Sequence, residues 1–153
     1  MSLNRRRPTL TVSPPGEEIG ALRTVELEFS AAQLIASDTT PLVLVQNADA
    51  KKILVFHGGS LEIVGGSTNY DQNQNFIVKY QTAGGGSAVS TTVANLMNAG
   101  AAGTLKTIKP ITTDYTPEAG QDLVLTSSAS PYSAAGDRKL FICFQYSVIN
   151  VRS

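Results

Sequence analysis

The sequence predicts an all-β protein: an antiparallel, jelly-roll-like β-sandwich of about eight strands with one or two short helices. The first observation is that short apolar runs, bounded by turn residues, recur along the chain, and such runs are typical of strands. In the segment Pro41–Val64 the runs Leu42–Val45, Ile53–Phe56 and Leu61–Val64 are divided by Asn-Ala-Asp-Ala and by Gly-Gly-Ser. They are predicted to be three consecutive strands. The second observation is that apolar and polar residues alternate elsewhere, as expected of half-buried strands.

Composition bounds the class of protein. A chain of 153 residues is long enough for one domain with its own core. Twelve basic and twelve acidic residues cancel, so net charge gives no drive toward nucleic acid or anionic membranes. A single cysteine excludes an internal disulfide framework. No apolar run suits a membrane-spanning helix, and no apolar segment follows the basic start, so no secretory signal is predicted.

Residues 1–20 are predicted to form an extended N-terminal arm, and residues 21–153 a single β-sandwich domain. The arm combines a basic cluster with closely spaced prolines, which resist regular structure. Its candidate partner-binding residues are Arg5, Arg6, Arg7, Pro14 and Pro15. Two interpretations stay open for the basic cluster: a solvated terminus, or an arm that docks on an acidic neighbouring subunit or, less favoured because the net charge is zero, on nucleic acid.

The first elements of the domain follow from periodicity and capping. Leu22–Phe29 alternates, with Glu26 and Glu28 on its polar face, and is predicted to be a half-buried strand. Ser30 is suited to cap a short helix over Ala31–Ala36, because its hydroxyl can accept a hydrogen bond from a free amide of the first turn.

Four further strands are predicted, at Phe76–Gln81, Leu105–Thr112, Gln121–Thr126 and Lys139–Val151. The last has one apolar face and one mixed face, which suits a central position in a sandwich sheet. The stretch Ser87–Ala99 stays open between helix and strand, because its spacing allows a helix while its β-branched residues favour a strand.

No constellation of catalytic, metal-binding or cofactor-binding residues is evident. His57 is predicted to end a strand as a structural or surface residue, since metal sites and general bases need partners and no HxH, HExxH or CxxC occurs. Cys143 is predicted to be a buried, inert thiol in an apolar strand. Gly84–Ser87 lacks Walker spacing, and Glu17-Glu18 and Glu26/Glu28 do not suit an acid/base pair. No enzymatic activity is expected.

Two loops contain aromatic residues that could contact a ligand. Gly65–Asn75 carries Tyr70 among asparagines and glutamines, and Ser127–Asp137 carries Tyr132. Exposed aromatic rings can stack on sugars while amides bond hydroxyl groups. The same composition is ordinary for a long exposed loop, so Tyr70 and Tyr132 are weak candidates for a carbohydrate site.

Several segments in order form a recognisable pattern. They are the short helix followed by Thr40–Val45, the strands Lys52–Val55, Ile77–Tyr80 and Leu123–Leu125, and the Gly-Asp-rich loop leading into a final strand that ends Tyr-Ser-Val-Ile, over Gly136–Ile149. The pattern, which covers about Ser30–Val151, resembles small virion proteins of tailed bacteriophages. It is one of composition and order, so no functional residue is carried over.

The resemblance implies a non-enzymatic β-sandwich without cofactors, made in the host cytoplasm and located in the virion. Its partners would be the major capsid protein or other virion subunits, and it would be a homo-oligomer, with a trimer favoured. The leading hypothesis is a capsid decoration (cement) protein whose arm holds an expanded shell together. The alternatives are a minor tail or head-fibre component, or a lectin-like module that binds a carbohydrate or receptor.

Overall fold

The structure, a computed structural model, describes residues 20–37, 39–71, 75–81, 85–98, 100–127 and 136–152. The described residues form an all-β sandwich with one short helix, which confirms the predicted fold class. The elements are β1 (Arg23–Phe29), α1 (Ala31–Ile35), β2 (Leu42–Val45), β3 (Lys52–Val64), β4 (Phe76–Tyr80), β5 (Leu105–Ile108), β6 (Leu123–Ser127) and β7 (Lys139–Asn150).

The strands form two antiparallel sheets. The four-stranded sheet has the order β1-β7-β3-β5 and the three-stranded sheet the order β2-β6-β4. Consecutive strands therefore alternate between the sheets, as in a double-sheet jelly roll. Within Ser87–Ala99 the described residues contain no helix; isolated bridges join Val93 to Phe76 and Ala88 to Lys79 on β4. This segment occupies the place of an eighth strand beside β4.

The start of the domain follows the predicted local chemistry. Ser30 caps α1 through a capping box: its Oγ accepts from the Gln33 amide at 3.3 Å, and its own amide donates to Gln33 Oε1 at 2.9 Å. Two free amides of the first turn are thereby satisfied. The helix ends at Ile35, one residue earlier than predicted, because Ala36 is its C-cap.

The predicted turn at Gly58-Gly59-Ser60 is wrong, because β3 continues through these residues to Val64. The register against β7 shifts between Phe56 and Gly58, so His57 is the extra residue of a β-bulge. The two halves of β3 are consequently out of phase. Phe56 is buried before the bulge, and Leu61 and Ile63 are buried after it.

The core lies between the two sheets and is built around the inner face of β7. Its five inward side chains are buried as the alternation predicts: Leu140, Ile142, Phe144, Tyr146 and Val148. The Phe144 ring packs against Phe56 and Tyr146 at centroid distances of 6.2 and 6.1 Å. Tyr80, from the opposite sheet, donates its hydroxyl to the Leu54 carbonyl at 2.7 Å. Burial raises the Tyr80 pKa well above its ordinary value.

The close packing of β3 on β7 makes Gly59 intolerant of a side chain. A Cβ at this position would lie 2.2 Å from the carbonyl oxygen of Cys143, which belongs to the neighbouring backbone. We expect Gly59→Ala to lower the free energy of unfolding by about 3 kcal/mol or more, since the backbone must shift. Gly103→Ala is the control: Gly103 has open space but a φ of +86°, so about 1–2 kcal/mol is expected. Denaturant titration measures both, and equal losses would contradict the packing argument.

Candidate functional site

The predicted arm residues Arg5, Arg6, Arg7, Pro14 and Pro15 lie outside the described residues, as does Tyr132. The structure describes the chain from Gly20, the last residue of the predicted arm. The Gly20 amide donates to the carbonyl oxygen of Val148 at 2.8 Å, so the described chain begins beside the end of β7. It then leads directly into β1, an edge strand of the four-stranded sheet.

An apolar patch lies at this same end of the four-stranded sheet. Leu22, Ile149 and Val151 are 59%, 38% and 41% exposed. Strand alternation places Ile149 on the sheet's outer face, the face turned away from the three-stranded sheet, while Leu22 directly precedes β1 and Val151 directly follows β7. Half-buried Ile53 lies opposite Ile149 in the ladder. Exposed apolar side chains that cluster in this way mark interaction surfaces. The sequence signal for the patch is the mixed outer face of the closing strand.

The outer face also carries carboxylates. Glu26 and Glu28 on β1 are exposed, as predicted, and Glu62 lies on β3 with Phe141 between it and Glu28 in the same row. Lys139 forms an ion pair with Glu28 at 3.0 Å. Glu26 and Glu62 form no ion pair with any described residue. Among the described residues, Glu28 is therefore the only one of these three carboxylates with an ion pair.

The prediction that Tyr70 offers an exposed ring to a sugar is wrong. Tyr70 is only 2% exposed, and its hydroxyl donates to the Arg138 carbonyl at 2.7 Å. The ring lies against Gly136, where a Cβ would come within 2.3 Å of it. Burial, with a smaller contribution from the Asp137 charge, raises the Tyr70 pKa to about 12. Tyr70 is therefore an anchor between two loops.

Arg138 and Asp137 complete this anchor, and sequence reasoning missed both. Arg138 is 8% exposed and donates from Nε to the Asn69 side chain at 2.5 Å. The Asp137 carboxylate accepts hydrogen bonds from the amides of Thr68, at 2.7 Å, and Ser67, at 2.9 Å. These two bonds hold the Asp137 pKa below its ordinary value. The partners are about seventy residues apart in sequence, so no local pattern could have shown the pairing.

A second contact lies where β6 ends. The hydroxyls of Ser37 and Ser127 are 2.8 Å apart, and Ser37 also donates to the Leu34 carbonyl at 2.6 Å. Both serines are buried. The chain is therefore fixed at Ser127 on one side of residues 128–135 and by the Tyr70 anchor on the other.

His57 does not end a strand, and it has a partner. Because it is the extra residue of the bulge, its side chain is exposed, and its Nε2 lies 2.8 Å from the Ser147 hydroxyl. This is a serine–histidine pair, but Ser147 is only 5% exposed, and no described carboxylate bonds to the ring. A serine nucleophile must reach its substrate and have an oriented base, so the pair does not form a hydrolytic site.

Cys143 is half-buried rather than fully buried, on the outer face between Glu26 and Ser60 in the ladder. The prediction of a buried thiol is therefore only partly correct. No cluster of three potential metal ligands exists among the described residues. Among the described residues, no helix is long and apolar enough to cross a membrane, and α1 has only five residues.

Comparison with known proteins gives no assignment. No protein-family model matches the chain, and no curated protein matches it.

Removing the Tyr70 hydroxyl tests the anchor. Tyr70→Phe leaves the buried Arg138 carbonyl without its partner, and we expect a loss of about 1–2 kcal/mol in unfolding free energy. The raised pKa of Tyr70 adds a pH signature: the wild type should lose stability as pH rises from 10 toward 12, because the buried ring must ionise, whereas the variant should lose less. Denaturant titrations near neutral and at alkaline pH measure both. Identical stabilities of the two proteins at neutral pH would contradict the anchor.

The Asp137 carboxylate predicts a dependence on acid. Because its folded pKa lies below 3.8, its stabilising effect is present above that pH and is lost as pH falls through the folded pKa. Asp137→Asn should therefore be less stable than the wild type near neutral pH, with the difference narrowing in acid. Asp114→Asn is the matched control, because Asp114 is exposed and its carboxylate forms no hydrogen bond or ion pair with another described residue. A difference that stays constant with pH would refute the role of the charge.

Proposed function

We propose that the protein is a non-enzymatic structural virion protein, a capsid decoration protein that stabilises a tailed-phage head. The observation that carries the proposal is the apolar patch of Leu22, Ile149 and Val151 beside Gly20, where the arm joins the domain. A patch of this kind, continuous with an arm, suits contact with a protein surface. Its three side chains present no nucleophile and no charge to a substrate.

The fold supports the proposal without deciding it. Double-sheet jelly rolls occur in viral capsid and lectin domains and in cupins, so the architecture is compatible with a virion role. The polar groups that could have formed a site are instead used inside the domain: Tyr70, Arg138 and Ser147 are buried and hydrogen-bonded to neighbours. The described residues thus use these polar groups for internal contacts, while Leu22, Ile149 and Val151 stay exposed.

The proposed mechanism is stabilisation by added contact area. The sandwich provides a rigid body, and the arm and patch cover neighbouring subunits of the shell. Each contact can be weak, since binding to the assembled state shifts the equilibrium toward assembly and many copies act together. A minor tail or head-fibre role would use the same surface at another place in the particle. The lectin-like alternative loses its main support, because the Tyr70 ring is buried.

Deleting residues 2–19 should abolish attachment to particles without unfolding the domain, because every described core residue lies beyond the deletion. Particles purified from the lysate and depleted of this chain would be incubated with the wild type or the truncated form. Co-sedimentation measures occupancy, and thermal unfolding checks the fold. The truncated form should fall to background occupancy with an unchanged unfolding midpoint.

Two further variants separate the arm from the patch. Leu22→Ser with Ile149→Ser removes apolar contact area and should weaken attachment, since both side chains are exposed and unfolding should change little. Leu105→Ser is the matched control, because Leu105 is equally exposed, at 58%, but lies on the opposite edge strand. Full occupancy by both the truncated form and the patch variant would overturn the proposed function.

A further inference from the structure

We propose that a groove on the outer face of the four-stranded sheet binds a phosphate group, either free or carried by a small molecule. We call it the bulge groove; its floor is Gly58-Gly59, and His57, Lys109 and Gln145 are among the residues that line it. Its volume is about 460 Å³, which is within the usual range of ligand clefts. The site goes beyond the proposed function and does not depend on it, because none of the described lining residues belongs to the predicted arm or to the apolar patch.

The groove exists because of the β-bulge in β3. His57 is the extra residue and its side chain is exposed, while the next two residues, Gly58 and Gly59, have no side chain. A Cβ at Gly58 would lie 3.1 Å from Cδ of Pro110, and the φ of +105° also favours glycine at this position. Bulges often occur beside functional sites, where they redirect a side chain. The bulge and the glycine pair therefore leave a depression that is bounded by an exposed imidazole ring.

Two side chains that can carry positive charge line the groove. Lys109 follows β5, and its backbone is held by Thr91, whose amide donates to the Lys109 carbonyl at 2.8 Å. The exposed Lys109 ammonium group forms no hydrogen bond or ion pair with another described residue. The His57 ring is oriented by the 2.8 Å contact of its Nε2 with the Ser147 hydroxyl, which leaves Nδ1 for a ligand. The groove thus combines a lysine on a fixed backbone with an imidazole that has one nitrogen still available.

Neutral hydrogen-bond donors surround the floor of the groove. Gln145 lies opposite Gly58 in the ladder, and Ser60 lies opposite Thr107. The side chains of Gln145, Ser60 and Thr107 form no hydrogen bond with another described residue. A cleft in which several polar groups converge, and in which the fold does not use those groups for its own contacts, is the usual form of a ligand site.

The charges of the groove select an anion, and its donors favour phosphate. No acidic residue and no arginine lie among the described residues that line it. Glu26 is on the same face of the sheet, opposite Cys143, but does not line the groove. Phosphate oxygens can accept hydrogen bonds from several sides, and lysine binds phosphate as a point charge. Planar, bidentate recognition of a carboxylate favours arginine instead.

Titration of the isotope-labelled full chain with inorganic phosphate, followed by nuclear magnetic resonance, tests the site. The backbone amide signals of Gly58, Gly59 and Lys109 should shift and saturate. Lys109→Gln should weaken binding about tenfold, because a charge-assisted hydrogen bond is lost, and His57→Ala should also weaken it. Lys51→Gln is the matched control, because Lys51 is exposed but does not line the groove. The absence of a saturable shift, or equal weakening by Lys51→Gln, would refute the site.

Filling the groove gives a second test that leaves the charges unchanged. Thr107 is exposed on the edge strand β5 and lines the groove, so Thr107→Trp should place a large ring over the floor and abolish phosphate binding. Leu105→Trp is the matched control and should bind as the wild type does, because Leu105 is exposed on the same face of β5 but does not line the groove. Thermal unfolding midpoints check that both variants fold. Unchanged binding by Thr107→Trp would show that phosphate binds elsewhere.

Comparison of inorganic phosphate with glucose 6-phosphate, glucose and acetate in the same titration identifies the source of the phosphate group. Tighter binding of glucose 6-phosphate than of phosphate would assign the site to a phosphorylated small molecule, and equal binding would assign it to the free anion. These titrations do not involve particles, so they can fail while the proposed function stands, and the reverse also holds. Tighter binding of acetate than of phosphate, or binding of glucose without phosphate, would contradict the assignment.

Discussion

The structure depends on the long antiparallel ladder between β3 and β7. Twelve residue pairs, from Lys52 with Asn150 to Val64 with Lys139, join segments about 75 to 98 positions apart. β1 pairs with the other side of β7, and β5 pairs with the other side of β3. The strands β3 and β7 are therefore the two central strands of the four-stranded sheet. Because these pairs join residues that are distant in sequence, folding of this sheet depends on non-local contacts.

The strands were predictable wherever one face is buried. Alternation alone located β1, β4 and β7, and the preference of serine for a helix N-cap located α1. The sequence-based prediction failed at Gly58-Gly59-Ser60. Here the glycine at position 59 allows close contact between two backbones and does not mark a chain reversal. Composition cannot distinguish these two uses of glycine, since both require the absence of a side chain.

The surfaces were less predictable than the strands, for a different reason. Tyr70 lies in a segment of polar residues, and only its contact with Gly136 and Arg138, far along the chain, shows that it is buried. The exposure of Leu22 likewise depends on the position of β1 at the sheet edge. The local sequence determines on which face of a strand a side chain lies. Whether that side chain is buried depends on which distant segment of the chain packs against that face.

The bulge at His57 has a consequence for how the chain can change in length. Register pairs on the two sides of His57 would join into one uninterrupted ladder if that single residue were absent, because Phe56 faces Tyr146 and Gly58 faces Gln145. The protein's one imidazole is thus an insertion that the sheet accommodates locally, leaving the core contacts on either side unchanged. This is a point of the central ladder at which the loss of one residue would leave the two halves of β3 correctly paired.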